Sequence, residues 1–207
     1  MTDADARAEV ERLERVWGGE FGDEYVDRNL DAYEAREPFW NRMTERLKPT
    51  RVLEVGCNAG GNLRFVAAAA PDAAIYGVDI NRKALRVAAD FVPDANLSIE
   101  SASALPFRDG WFDLVFTMGV LIHQPEESIR TVLAEIARCS SKYVLSGEVY
   151  APETTPIPYR GLDAAFFKRD YGALFQEVAP ALKLVDTGEL TKDDGFDTLT
   201  FWLFEKK

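Results

Sequence analysis

The chain has 207 residues, 47% of them hydrophobic and 29% charged, the proportions of a globular protein with one full core. Its 35 acidic residues outnumber the 24 basic ones, and the net charge of −11 opposes a broad nucleic-acid-binding face. Cys57 and Cys139 supply neither a disulfide framework nor metal-ligand spacing, the apolar run near Phe65–Ala70 is too short to cross a membrane, and the acidic N-terminus lacks a hydrophobic signal core. These features predict a soluble cytoplasmic protein with no membrane or nucleic-acid partner and no bound metal. They leave its oligomeric state open.

Residues 3–17 carry Val10, Leu13, Val16 and Trp17 at helical spacing among charges, the pattern of an amphipathic helix. Trp17–Asn29 then mixes three glycines with aromatics, and an irregular piece is expected. It reads either as a packed linker or as a lid whose Tyr25, Arg28 and Asn29 face a ligand. A helix from about Ala35 to Leu47, stopped by Pro49, leads into strands and helices in alternation. The pattern predicts strand 51–55, helix 61–70, strand 74–79, helix 82–91 capped by Asn81, strands 96–100 and 112–117, helix 126–138 behind Pro125, and strand 143–149. Apolar strands separated by helices of this length imply a parallel sheet covered on both faces. A proline-rich connection (151–161) follows, then a helix within 166–180 and two closing strands, 182–186 and 198–204. One domain spans 1–207: N-terminal helices and lid over 1–48, a ligand-binding core over 50–150, and a substrate-side segment over 151–207.

Arg51–Leu63 (RVLEVGCNAGGNL) runs from a buried strand through a glycine-rich turn into a helix. Such a turn gathers unpaired backbone N–H groups at one spot, and its glycines admit a ligand close to the main chain. The next strand ends in Asp79, a carboxylate suited to the vicinal hydroxyls of a ribose. Together the two features imply a nucleoside cofactor. A dinucleotide fingerprint, Gly-x-Gly-x-x-Gly, would put its second glycine at Asn58, where a pyrophosphate leaves no room for a side chain. The other frame, acid-x-Gly-x-Gly-x-Gly, reads Glu54, Gly56, Asn58 and Gly60, with Asn for one glycine. Cys57 contributes its backbone to the same loop.

Further along, Met118–Pro125 lies at the C-terminal end of a strand, where open sheets bind ligands. It holds His123, the one histidine of the chain, read either as a packed side chain or as a base or substrate contact. Glu148 and Tyr150 end the following strand on the same rim, either as sheet-edge polarity or as contacts to a substrate amine or hydroxyl. Tyr159, Arg160, Lys168 and Arg169 form either a solvated basic face or a site for a carboxylate or phosphate of the substrate.

The loop Glu54–Gly60 with Asp79 resembles motif I and its partner acid in class I S-adenosylmethionine-dependent methyltransferases. Ser101-Ala102-Ser103-Ala104-Leu105-Pro106-Phe107 resembles their segment after the third strand, with Ser101 in place of an acid that contacts the adenine amino group. That resemblance implies a seven-stranded, mostly parallel Rossmann-like sheet with a C-terminal antiparallel hairpin, and S-adenosylmethionine as cofactor. It places the methionine part on loop 54–60, the ribose on Asp79, and the adenine by Ile80, with its amino group on Ser101, the Ala102 backbone or Glu100. It implies methyl transfer to nitrogen or oxygen of a small molecule, with His123 or Glu148 as base only where the acceptor arrives protonated. WGGEFGDEYVDRN, EVGCNAGGNL, YGVDIN, GVLIHQP, RCSSKYVLSGEVY, PYRG and LFQ after FKRD together resemble the pseudaminic acid biosynthesis-associated methylase family. The narrower likeness implies a sugar-related, acidic acceptor. Natural-product tailoring, a nicotinamide oxidoreductase and a non-catalytic cofactor-binding protein are the alternatives.

Overall fold

The structure is a computed structural model and describes residues 3–30 and 34–207. Helices α1 (Asp3–Gly18), α2 (Glu20–Asn29) and α3 (Glu37–Leu47) precede the sheet. The alternating part then runs β1 (Arg51–Val55), α4 (Leu63–Ala69), β2 (Ala74–Asp79), α5 (Arg82–Phe91), β3 (Asn96–Ile99), β4 (Phe112–Met118), α6 (Glu126–Cys139) and β5 (Ser140–Glu148). The chain closes with β6 (Thr155–Tyr159), β7 (Leu162–Lys168), α7 (Tyr171–Val178), β8 (Leu182–Leu190) and β9 (Leu199–Lys206).

Among the described residues, seven strands form one sheet in the order β3-β2-β1-β4-β5-β9-β8. The first five are parallel, and β9 inserts antiparallel between β5 and β8. This is the expected Rossmann-like sheet with its C-terminal hairpin. Alternate strand residues feed opposite layers. Leu53, Val55 and Val115 pack with Ile129, Val132, Leu133 and Ile136 of α6, whereas Val52, Leu114 and Phe116 pack with Phe39, Trp40 and Met43 of α3. Chain order reverses between β1 and β4, and the loops leaving these two strands face each other there.

Three expectations are corrected. Trp17–Asn29 holds the end of α1, a one-residue break at Gly19, which is extended at the N-cap, and then the regular helix α2. Gly22 is required by close packing, since a Cβ there would meet the Trp17 carbonyl at 1.8 Å and Asn81 at 2.8 Å. The proline-rich connection is half of a two-stranded ribbon, β6–β7, turned by Arg160 (φ 48) and Gly161 (φ 82). Pro156 and Pro158 are tolerated there because the ribbon lies outside the main sheet. Phe166–Lys168 is therefore strand, and the helix begins only at Tyr171, capped by Asp170 accepting from the Ala173 amide at 2.9 Å. Among the described residues no helix is long and apolar enough to cross a membrane.

Candidate functional site

The turn after β1 is built around three left-handed residues, Gly56 (φ 74), Asn58 (φ 46) and Gly60 (φ 76). Asn occupies this region more readily than other side-chain-bearing residues, which explains how it stands at a glycine position. At Gly56 a Cβ would strike the Val120 side chain at 2.5 Å, so glycine lets the β1 and β4 loops touch. Both the Gly56 and Cys57 amides donate to the Val78 carbonyl, at 2.8 and 3.0 Å. The Asn58 amide donates to Asp79 Oδ2 at 2.8 Å, and the Asn81 amide to Oδ1 at 2.8 Å. Asp79 is thus oriented by backbone donors on both oxygens, while burial pushes its carboxyl above the usual range.

Beneath this turn Glu54, 1% exposed, carries a buried charge network. Asn62 donates to its Oε1 at 2.7 Å and accepts from Arg36 at 3.0 Å and from the Trp40 indole at 3.3 Å. Arg36 also donates to the Gly195 carbonyl at 2.8 Å and lies over Phe196 at 4.4 Å. Glu54 Oε2 is buried without a hydrogen-bond partner, and burial pushes the carboxyl up to about 8.

These groups line one cavity of about 390 Å3, whose lining also holds Gly119, Ile80, Ser101 and Glu14. Trp17, Tyr25 and Asn29 of the N-terminal helices form one wall, and Lys192 with Gly195–Asp197 another. Five carboxyl groups (Glu14, Glu54, Asp79, Glu100 and Asp197) face it against two cations, Arg36 and Lys192, so a cationic ligand is favoured. Gly119 adopts φ 70, and the space where its Cβ would stand is open within 4 Å.

Of the cofactor residues expected from the sequence, Tyr25, Glu54, Gly56, Cys57, Asn58, Asp79, Ile80, Ser101, Ala102 and Met118 all line this cavity. Gly60 is a correction: it lies outside the lining, and glycine is called for there by its φ of 76 and by Ala88 of α5, which a Cβ would approach at 3.2 Å. The Cys57 thiol is buried and held well above its ordinary pKa, as a backbone contributor is free to be.

The expected catalytic residues are redistributed. His123 lines the cavity, with its ring 4.2 Å from that of Trp17 and Nδ1 2.8 Å from the Ala165 carbonyl of β7. Nδ1 therefore carries the hydrogen and Nε2 the lone pair. Burial pushes the imidazole down to about 4, so the ring is a weaker base than an unperturbed histidine. Glu148 lies outside the cavity lining and is fully buried; it accepts from Thr117 Oγ1, the Val120 amide and the Ile122 amide, each at 3.2 Å. It is a positioning group that shapes the loop after β4. Tyr150 is 47% exposed, packs towards Trp202 and lies away from the cavity.

The basic residues are corrected too. Tyr159 packs on Trp17, Phe21 and Phe166 outside the lining. Arg160 is exposed in the ribbon turn, and Lys168 lies on β7 outside the lining. Arg169 is 1% exposed, donates to the Gln124 carbonyl at 2.9 Å and pairs with Glu126 at 3.5 Å. Sequence reasoning missed Arg36, Asn62, Glu14, Trp17 and the 195–197 wall. Asn62 had one signal, a polar residue opening an apolar helix; the others arrive from distant segments. Among the described residues no group of three or more His, Cys, Asp and Glu side chains could hold a metal ion.

Residues 52–142 match the family model described as a methyltransferase domain. The 2-methyl-6-phytyl-1,4-hydroquinone methyltransferase of Synechocystis is 28% identical over 132 residues, covering 56% of this chain and 40% of that protein. The ubiquinone biosynthesis O-methyltransferase of Ralstonia nicotianae is 37% identical over 92 residues, 42% of this chain and 38% of that protein. The matches thus span about two fifths of these curated relatives. The Burkholderia thailandensis 1,6-didemethyltoxoflavin-N1-methyltransferase, solved with 1,6-didemethyltoxoflavin and S-adenosylhomocysteine, superposes with a TM-score of 0.74 at 16% identity, over 100% of this chain and 92% of that one. At that identity the likeness is one of fold.

Proposed function

We propose that the protein is an S-adenosylmethionine-dependent methyltransferase acting on nitrogen or oxygen of a small molecule. One observation carries the reading: one cavity is lined by an acid and a base, Glu54 and Arg36, joined through Asn62, and by Asp79, whose carboxyl is oriented by backbone donors. An α-amino acid presents an ammonium and a carboxylate side by side, and a ribose presents two hydroxyls. S-adenosylmethionine is both at once. The orphaned Oε2 of Glu54 and the open space at Gly119 fit such a ligand. A dinucleotide fits poorly, with Asn58 in the turn and five carboxyl groups facing a pyrophosphate.

When bound, the cofactor supplies a methyl group made electrophilic by its sulfonium. The chain's own part is orientation and exclusion of water. Glu54, Asn62 and Arg36 hold the amino-acid end, Asp79 the ribose, and Ile80 with Ala102 the base. Trp17, Tyr25 and His123 shape the acceptor side. With Glu148 outside the cavity and His123 a weak base, the acceptor is one that offers its lone pair without a strong protein base.

A sugar-related, acidic acceptor finds no partner in Arg160, Lys168 or Arg169; Lys192 is the cation facing the cavity mouth. The aromatic wall suits the planar acceptors of natural-product tailoring equally. Both buried thiols, Cys57 and Cys139, fit a reducing cytoplasm, and residues 1–207 are read as one such domain.

Calorimetric titration with S-adenosylmethionine, S-adenosylhomocysteine and NAD tests the reading. Micromolar binding of the first two without the third supports it. Preference for NAD, or no binding to the folded protein, defeats it. Turnover is then sought with sugar acids and phenols as acceptors.

A further inference from the structure

Ser101 of the loop after β3 faces the cavity beside Ile80, at the end where Asp79 would place the base of a nucleoside. A hydroxyl has one hydrogen to give and two lone pairs to fill. Ser101 gives its hydrogen to Glu14 Oε1 at 2.6 Å, stands 2.7 Å from the Ser103 hydroxyl, and accepts the Ser103 amide at 3.2 Å. Its capacity is therefore spent within the protein, and the exocyclic amino group of an adenine needs another acceptor.

Glu14 supplies one. It projects from α1, lines the same cavity, and is held in place by the Ser101 hydroxyl. A carboxylate has about four lone-pair positions, and one Ser101 hydrogen bond leaves most of them available. The helix carrying it is itself fixed at this end. Asn81, next to Ile80, donates to the Trp17 carbonyl at 3.1 Å and to Asp23 at 2.9 Å, and a Cβ on Gly18 would touch the Ile80 carbonyl at 3.5 Å.

We infer that Glu14, brought from the N-terminal helix and oriented by Ser101, is the residue that selects adenine, accepting a hydrogen bond from its amino group. This inference rests on the proposed cofactor. Selectivity then lies in a carboxylate 87 positions from Ser101 in the chain. The same helix carries Trp17 one turn later, so an occupied base site also fixes one wall of the acceptor side.

The test is calorimetric titration of the full chain with S-adenosylhomocysteine and with S-inosylhomocysteine, which has a carbonyl in place of the amino group. The unchanged protein is expected to prefer the adenine ligand by tenfold or more. Glu14→Ala should lose about tenfold for S-adenosylhomocysteine and much of that preference, and Glu14→Ala with Ser101→Asp should regain both. Circular dichroism confirms that each variant keeps its helices. The inference is overturned if Glu14→Ala binds S-adenosylhomocysteine as tightly as before, if both ligands weaken equally, or if Glu100→Gln produces the loss instead. Failure of the unchanged protein to bind S-adenosylhomocysteine at all would show that the cofactor reading itself is wrong.

Discussion

Glu54 takes the side-chain amide of Asn62 on Oε1 at 2.7 Å and buries Oε2 without a partner. A carboxyl so placed is protonated more readily than in water, and its value rises from 4.5 to about 8. A cationic ligand reverses that preference, so at neutral pH binding should expel a proton. Affinity for S-adenosylmethionine should climb as pH rises from 6 towards 8 and then level. Titration in buffers of different ionisation enthalpy should reveal release of up to about one proton, absent in Glu54→Gln. An unchanged pH dependence in that variant sinks the assignment. The unliganded protein should behave oppositely. Because the folded value exceeds the unfolded one, the contribution of Glu54 to stability is whole below about 4.5 and is lost as pH rises through about 8. Glu54→Gln should flatten that decline in thermal melts, by an amount on the order of a few kcal/mol at the alkaline end.

Asp79 holds the turn as well as facing the proposed cofactor. Its two oxygens hold the Asn58 and Asn81 amides, so its removal should register twice. Asp79→Ala should weaken S-adenosylhomocysteine binding by about tenfold or more and lower stability by about 1–3 kcal/mol. A variant that melts lower yet binds with full affinity would confine Asp79 to structure.

Glu148 and Tyr150 stand two residues apart and should respond very differently. Glu148→Ala strands the buried Ile122 amide and the partly buried Val120 amide, while Thr117 keeps Ser146 as an acceptor, at a cost of about 2–4 kcal/mol. Tyr150→Phe removes an exposed hydroxyl and should change stability by less than about 0.5 kcal/mol and leave cofactor binding intact. Denaturant unfolding of both variants checks the pair, and equal effects would contradict the geometry.

What could be read from the sequence followed its locality. Glu54, Gly56, Asn58 and Asp79 are legible because strand, turn and next strand are contiguous, and apolar runs such as Val52–Val55 announce buried strands. Glycines misled where they served packing. Gly22, one of three glycines that pointed to an irregular linker or lid, is the point where α2 approaches the Trp17 carbonyl and Asn81. Charge misled where the fold had buried it, as in Arg169, which lies against Gln124 and Glu126 instead of facing the cavity. Arg36 was invisible because its partners, Asn62 and Gly195, lie 26 and 159 positions away. No local pattern records such a meeting.

His123 allows the cleanest check, since a chain with one histidine gives one set of imidazole resonances. Its Nδ1 is fixed on the Ala165 carbonyl and its ring is enclosed by Trp17, Tyr159 and Phe166. Burial disfavours the charged ring more than that hydrogen bond favours it, and the value falls from 6.5 to about 4. The sign for stability follows: the unfolded chain takes up the proton first, so the contribution of His123 is full above about 6.5 and is lost as pH falls towards about 4. Nuclear magnetic resonance between pH 4 and 8 should show no imidazole titration above about pH 5. His123→Asn should not remove any step from the pH–rate profile between 6 and 8. An imidazole midpoint near 6.5 in the folded protein would mean that the ring is solvated and free to act as a base, and the neutral acceptor side proposed for this cavity would have to be abandoned.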